Sequence, residues 1–281
     1  MTVDRRLLPA RPDLAAAHLA GQVEAERFVE GRAMRVADPL APMRRRPASD
    51  APLETELLLG EVFTVYEATD EGWSWGQAAV DAYVGWVPSD SLSTVMPEPT
   101  HSVAVLRTFV YPGPNMKLPP RAALSLGCGV TVIGIEGQFA TLAAGGGSIF
   151  AEHLAPLGAV VSDPVAVAER FLEVPYLWGG RSSLGIDCSG LVQLSLAAAG
   201  IAAPRDSDLQ EAGLGRPVPA DEPLRRGDLV FWKGHVGLIT GPDTLLHASG
   251  HHMRVVREPF AAACDRIRAA GGGEVRSRRL G

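Results

Sequence analysis

The chain predicts an α+β domain at its C-terminal end, preceded by two small all-β barrels. Between about residues 32 and 157 the apolar residues fall in short alternating runs separated by Gly- and Pro-rich turns, the pattern of brief half-buried strands. After Val161 the texture changes to apolar stripes behind helix-start signals, followed by a meander of strand-like runs. The segment Leu59-Gly60-Glu61-Val62-Phe63 returns loosely as Leu126-Gly127-Cys128-Gly129-Val130, so the β-rich part reads as two similar modules in tandem.

At 281 residues the chain is long enough for two or three modules. The net charge of −6 leaves no basic footprint, which argues against nucleic acid as a partner. The longest apolar runs, such as Leu191 to Ala199, fall well short of the roughly 20 residues of a membrane span, so no integral membrane segment is expected. Arg5 and Arg6 are not followed by a continuous apolar stretch, because His18, Gln22 and Glu24 interrupt it, and no secretory signal is read there. The three cysteines, Cys128, Cys188 and Cys264, cannot all pair with one another. Both features point to a reducing compartment, so the cytoplasm is expected, with export by another route left open.

In chain order, residues 1–30 form an Ala-rich arm or short helix laid against a later domain, and 31–98 form the first β module. Its strands are expected at Leu57 to Tyr66, Gly72 to Gln77 and Ala82 to Pro88, and Met96-Pro97-Glu98-Pro99 is a hinge. The second module, 99–158, has strands at Val103 to Leu106, Ser125 to Ile133 and Gln138 to Leu142. Gly145-Gly146-Gly147 is a turn, since no phosphate-binding lysine or hydroxyl motif follows it. In the third domain, 159–281, Ser162-Asp163-Pro164 starts a helix and Pro175 to Gly180 leads to a second helix ending at Gly200. Strands follow at Asp228 to Trp232, His235 to Thr240 and Thr244 to His247, with Gly241-Pro242-Asp243 as a turn. The tail from Gly271 to Arg279 is either a final strand or a flexible end.

The chemistry concentrates at Ile186-Asp187-Cys188-Ser189-Gly190-Leu191. Cys188 falls in the first helical turn behind Asp187, a residue able to cap the helix, and the N–H groups of a helix start favour a thiolate. His235 and His247 follow on strands joined by a tight turn, which allows both imidazoles to stand on one face. One nucleophile, one base and one group to orient the base make the minimum thiol hydrolase. His235 then takes the proton of Cys188 or holds it as an ion pair, and His247 orients His235, with His251 and His252 as competitors for that role. Gly234 and Gly237 leave room beside His235 for a substrate backbone. The backbone N–H of Cys188 or Ser189, with the Tyr176 hydroxyl, is the candidate oxyanion support. The alternative for Cys188 is a packing residue, since free cysteine is commonly buried. No Cys-x-x-Cys or His-x-x-x-His spacing marks a metal site, and no cofactor is expected.

Asp187-Cys188-Ser189-Gly190-Leu191, Gly234-His235-Val236-Gly237 and Leu246-His247-Ala248 resemble the signature of the NlpC/P60 family of cell-wall cysteine peptidases, which have a papain-like fold. Pro175-Tyr176-Leu177-Trp178-Gly179-Gly180 is similar to the motif ahead of the nucleophile in that family, and makes Trp178 a further candidate substrate contact. The two β modules resemble bacterial SH3-like domains, an architecture similar to γ-D-glutamyl-L-diamino-acid endopeptidases. The resemblance implies a murein-derived peptide such as L-Ala-γ-D-Glu-diamino acid as substrate. It also implies that Asp206 and Ser207, in Pro204-Arg205-Asp206-Ser207-Asp208, bind the free amine of L-Ala. Such an ammonium needs a carboxylate and a further acceptor close by. An ordinary helix cap at Asp206 or Ser207 is the plainer alternative. In the resembling enzymes an aromatic residue of the first module closes the cleft. Tyr83 is the candidate here and Trp75 the reserve, against an equal expectation that both are barrel aromatics.

The expected function is hydrolysis of the bond between γ-D-Glu and the diamino acid in murein peptides with a free N-terminal L-Ala, during peptide turnover or recycling. Two rivals remain: a wall-peptide binding protein with a degenerate peptidase domain, and a papain-like amidase or acyltransferase acting on another substrate. The choice between diaminopimelate and lysine, and the oligomeric state, stay open.

Overall fold

A computed structural model describes residues 4–219 and 221–281, so the first three residues of the N-terminal arm lie outside the described residues. The chain divides into two compact units, one ending at Leu157 and one beginning at Gly158. Among the described residues no helix is long and apolar enough to cross a membrane.

The first unit is β-rich throughout. A seven-stranded antiparallel sheet runs in the order Leu53–Leu58, Leu40–Arg44, Val84–Pro88, Trp73–Ala78, Val62–Ala68, Arg32–Val36, Leu92–Ser93. Alternate residues of these strands, including Val36, Met43, Leu57, Phe63 and Val87, meet in one apolar core. The N-terminal segment is extended rather than helical, apart from one 3-10 turn at Ala17–Leu19. It buries Leu14 against Trp75 and Trp86, and it lays the Arg11 guanidinium 4.4 Å and 5.0 Å from those two ring centres.

The single strand expected from Leu57 to Tyr66 is in fact two strands, Leu53–Leu58 and Val62–Ala68, broken by Gly60 at φ +84°. The run Ser125 to Ile133 is likewise broken, by Gly127 at φ +88°. Apolar alternation carried on through each turn because a left-handed glycine reverses the backbone without changing the hydropathy pattern.

These two turns are built alike. Gly60 N–H donates to the Val36 carbonyl at 2.9 Å and Gly127 N–H to the Val103 carbonyl at 3.0 Å. Glu61 N–H donates to Leu58 O and Cys128 N–H to Ser125 O, both at 3.1 Å. Each half also has a 3-10 turn, Ser89–Ser91 or Ala151–His153, leading into a strand that pairs with the one carrying that valine. The second half is otherwise split into smaller sheets. These are His101–Val103 between Gly129–Val130 and Leu154–Pro156, Arg107–Val110 with Ala122–Ser125, and Val132–Glu136 through Phe139–Leu142 to Ser148–Phe150.

The second unit opens with the helix Pro164–Glu169, capped by Asp163, whose carboxylate accepts from Val165 and Ala166 N–H. The helix Cys188–Ala198, which carries the candidate nucleophile and is called the nucleophile helix for that reason, packs beside it and against a six-stranded antiparallel sheet. The sheet order is Arg216–Pro217, Arg276–Arg279, Leu229–Trp232, His235–Gly241, Thr244–Ser249, Arg254–Pro259. The tail is thus a strand, pairing with Leu229 to Phe231. A last helix, Phe260–Ala269, packs on the sheet through Phe260, Ala263 and Ile267 around Trp232, Ile239 and Leu245.

Glycines allow the chain to close tightly around the start of the nucleophile helix. A Cβ on Gly190 would stand 2.5 Å from the Gly180 carbonyl oxygen, and one on Gly180 would stand 2.6 Å from that of Gly185. Both obstacles are backbone, so neither can swing aside. Gly190→Ala is expected to cost the second unit about 1–3 kcal/mol, read as a lower urea midpoint with the unfolding slope unchanged.

Candidate active site

Cys188 is the first residue of its helix and Asp187 is the capping residue, accepting from Gly190 N–H at 2.7 Å. The other Asp187 oxygen accepts from Gly179 N–H at 2.9 Å, tying the cap to the Tyr176–Gly180 segment. Arg205, only 1% exposed, completes the arrangement. Its guanidinium grips Asp187 with two bonds of 2.9 and 2.7 Å, and also reaches the Ser189 hydroxyl at 2.9 Å and the Gly180 carbonyl at 3.3 Å. A planar fork satisfies a carboxylate in this way where a lysine would not.

The histidines come from adjacent strands. Leu238 lies opposite Leu246, which sets Gly237 opposite His247 and makes His235 and His247 diagonal neighbours on one face. His235 Nε2 lies 2.7 Å from His247 Nδ1, and His247 Nε2 lies 2.7 Å from Glu258 Oε1. Arg266 holds both Glu258 oxygens at 2.6 Å. An ionised carboxylate only accepts, so His247 donates from Nε2 and accepts at Nδ1. His235 must then donate from Nε2, leaving its Nδ1 with a free lone pair. The relay therefore leaves His235 Nδ1 unprotonated and able to accept a proton.

The space beside Gly237 is not a substrate channel, contrary to the sequence expectation. A Cβ there would meet Leu245 at 2.6 Å and the His247 Cβ at 3.2 Å, so the glycine lets His247 lean toward His235. Gly234, at φ +72°, serves the tight turn between Trp232 and His235. The His235 ring rests on Trp232, with ring centres 5.7 Å apart.

Electrostatics favour a neutral resting pair. Burial pushes the Cys188 thiol up to about 12, reinforced by the Asp187 charge and opposed by the N–H groups of Val236 and Ser189 and by Arg205. Burial brings His235 down to about 3, assisted by His247 and Arg266 and opposed by Glu258. Burial works against the Glu258 charge too, but the bonds from His247 and Arg266 outweigh it and hold the carboxyl well below the usual range. Burial of Cys188, which is 7% exposed, works against the thiolate that a helix start favours.

The other expected site residues divide. Tyr176 is half-buried and interacts electrostatically with Cys188 and Asp187, and burial raises its hydroxyl well above the ordinary value. Ser189 has its hydroxyl committed to Arg205 and Asp187, while its backbone N–H supports the thiol. Trp178 stands 68% exposed. Asp206 occupies the capping position of the helix Ser207–Gly213, yet its side chain makes no cap bond, so the plain helix-cap alternative does not apply to it. Arg205 on one side and Gln210 on the other, the latter donating to the Ser189 carbonyl at 2.9 Å, fasten Asp206 and Ser207 to the nucleophile helix.

Tyr83 does not meet the expectation of a cleft residue. It is 3% exposed and belongs to the apolar core with Met43 and Phe63, and Trp75 is equally buried beside Leu14 and Trp86. Both are barrel aromatics, because a small barrel must bury its few large rings to have a core at all.

Glu258, Arg266, Arg205 and Gln210 had no local signal. Glu258 becomes relevant only through the register that sets Leu245 opposite it, and a buried arginine reads like a surface one in sequence. The pKa directions predict that iodoacetamide modifies Cys188 slowly at neutral pH. The rate should climb about tenfold per pH unit into the alkaline range, with no plateau at acidic pH. A fast, pH-independent phase near pH 5 would instead require a thiolate–imidazolium pair.

Comparison with known proteins agrees with this layout. Residues 173–265 match the NlpC/P60 family and residues 43–92 match the bacterial dipeptidyl-peptidase SH3 domain. The chain is 29% identical over 225 residues to the γ-D-glutamyl-L-lysine dipeptidyl-peptidase of Bacillus subtilis, covering 71% of this chain and 73% of that one. Over 99 residues it is 37% identical to dipeptidyl-peptidase 6 of Lysinibacillus sphaericus, a match spanning 36% of that enzyme. A solved NlpC/P60 family protein from Bacillus cereus has the same fold, with a TM-score of 0.71 at 19% identity over 89% of this chain and 99% of that one. The thiol and the two histidines thus fall within the matched segment, and the chain carries an NlpC/P60 domain and a bacterial SH3 domain.

Proposed function

We propose that the protein is a cysteine peptidase that hydrolyses the γ-D-Glu–diamino acid bond of murein peptides with a free N-terminal L-Ala. The observation that carries the catalytic part is the chain from His235 through His247 to Glu258, which leaves His235 Nδ1 unprotonated. Cys188 shares its end of the sheet with Val236, whose N–H supports the thiol.

From a neutral pair, the thiol proton passes to His235 Nδ1 as sulfur attacks the γ-carbonyl carbon. The Ser189 N–H and the Tyr176 hydroxyl are the donors for the oxyanion. The C–N bond then breaks, and His235 returns the proton to the departing amine. Water, deprotonated by the same imidazole, attacks the thioester carbonyl; the C–S bond breaks, the acid leaves, and His235 returns the proton to the Cys188 sulfur. In this reading Asp206 and Ser207 take the L-Ala ammonium and Trp178 lines the cleft. The ties from Arg205 and Gln210 that hold this segment against the start of the Cys188 helix support that role, and the γ-D-glutamyl-L-lysine dipeptidyl-peptidase activity of the B. subtilis relative supports the substrate class. The residues after about 99 are read as a second SH3-like module, supported by the matched turns at Gly60 and Gly127.

The deciding experiment is mass spectrometry of L-Ala-γ-D-Glu-meso-diaminopimelate incubated with the protein, beside an N-acetylated copy. Release of diaminopimelate from the free peptide only, abolished in Cys188→Ala and weakened in Asp206→Asn, is the expected result. Equal cleavage of the acetylated peptide would remove the amine role of Asp206 and Ser207. Glu258→Gln should lower kcat about a hundredfold or more with KM little changed, since an amide can donate to His247 and reverse the tautomers. An unchanged kcat would refute the relay.

A further inference from the structure

A cavity of about 280 Å3 lies against His235 and His247 in the second unit, and no role described so far uses it. Its position has a chemical meaning. In the proposed reaction the departing amine receives its proton from His235, so the residue attached to that amine must extend past the His235 ring. The cavity is lined by His235 and His247 together with Lys233, Ser249, His251 and Arg266, and small residues at Gly250, Ala270 and Gly272 leave it open.

The charge of this wall is one-sided. Lys233, Arg266 and His251 contribute basic groups, and the lining contains no aspartate or glutamate. Arg266 is already neutralised by Glu258, which binds it through both oxygens. Lys233 is exposed at the turn before His235, where its backbone N–H donates to the Gly272 carbonyl. Among the described residues no carboxylate forms an ion pair with Lys233. The uncompensated charge among the lining residues is therefore the Lys233 ammonium.

The two diamino acids that suit the bond differ in charge at the far end of the side chain. Lysine ends in an ammonium alone, which a basic wall without acids repels. Diaminopimelate ends in a carbon bearing both an ammonium and a carboxylate, and the carboxylate is the missing partner for Lys233. We propose that this cavity is the leaving-residue subsite, and that Lys233 pairs with the side-chain carboxylate of a diaminopimelate-type residue and selects it over lysine. The assignment rests on the peptidase reading given above and adds to it the identity of the diamino acid.

Three peptides test it with the full chain: L-Ala-γ-D-Glu followed by meso-diaminopimelate, by the same residue with its side-chain carboxyl amidated, or by L-lysine. The wild type should favour the first by about tenfold or more in kcat/KM over the other two, the scale of one charged hydrogen bond. Lys233→Ala should bring the three within about twofold of one another, chiefly through KM for the first, and Lys233→Arg should keep the preference. A wild type that prefers lysine, or a Lys233→Ala variant that keeps the discrimination, would overturn the subsite. A uniform loss on all three peptides would overturn it as well, by assigning Lys233 to the main-chain carboxylate. Cleavage of none of the three would remove the peptidase reading itself, and the subsite with it.

Discussion

The start of the nucleophile helix is organised by a buried ion pair, Arg205 with Asp187. Asp187 takes two donors from the helix it caps, the Gly190 N–H and the Ser189 hydroxyl, one from Gly179 and two from Arg205, so both of its oxygens are fully engaged. Burying such a pair is favourable only when its hydrogen bonds are complete, and this one is complete. Arg205 links three segments that are distant in sequence: the Tyr176–Gly180 segment, the turn carrying Cys188, and the stretch holding Asp206 and Ser207. It also offsets the negative charge that Asp187 would otherwise impose on the thiol.

The second constraint is the register of the antiparallel sheet. Pairing Leu238 with Leu246 brings two imidazoles within 2.7 Å, and pairing Leu245 with Glu258 supplies the carboxylate behind them. A one-residue slip would send these side chains to the opposite face. Gly237 is part of the same constraint, because the space it leaves is occupied by Leu245 and His247. Burial favours the neutral form of both the thiol and the imidazole. Reactivity then depends on proton transfer as substrate enters, and a long-lived thiolate is not needed.

The β-rich unit follows a different logic. Its cores are small, so Phe63, Trp75, Tyr83 and Trp86 are used for packing, with Arg11 of the N-terminal segment covering the two tryptophans. The Leu-Gly turn occurs in both halves with the same pair of backbone bonds. A left-handed glycine recurs there because each chain reversal needs a positive φ that a side chain would resist.

The amino-acid sequence by itself determined the elements whose causes are local. Asp163-Pro164 and Asp187-Cys188 marked two helix starts, because a capping carboxylate and its N–H partners lie within one turn. The cysteine, the two histidines and the turn between their strands were legible for the same reason. Only the tertiary structure decided which groups complete them. Glu258 and Arg266 enter through strand register, Arg205 and Gln210 through packing across long sequence separations, and Lys233 through a cavity wall. Tyr83 and Trp75 were ambiguous in sequence because an aromatic residue on a short strand has the same pattern whether it faces a core or a cleft. Contacts between residues far apart in the chain leave no periodic trace, and those contacts set the charge, the tautomer and the exposure of the site.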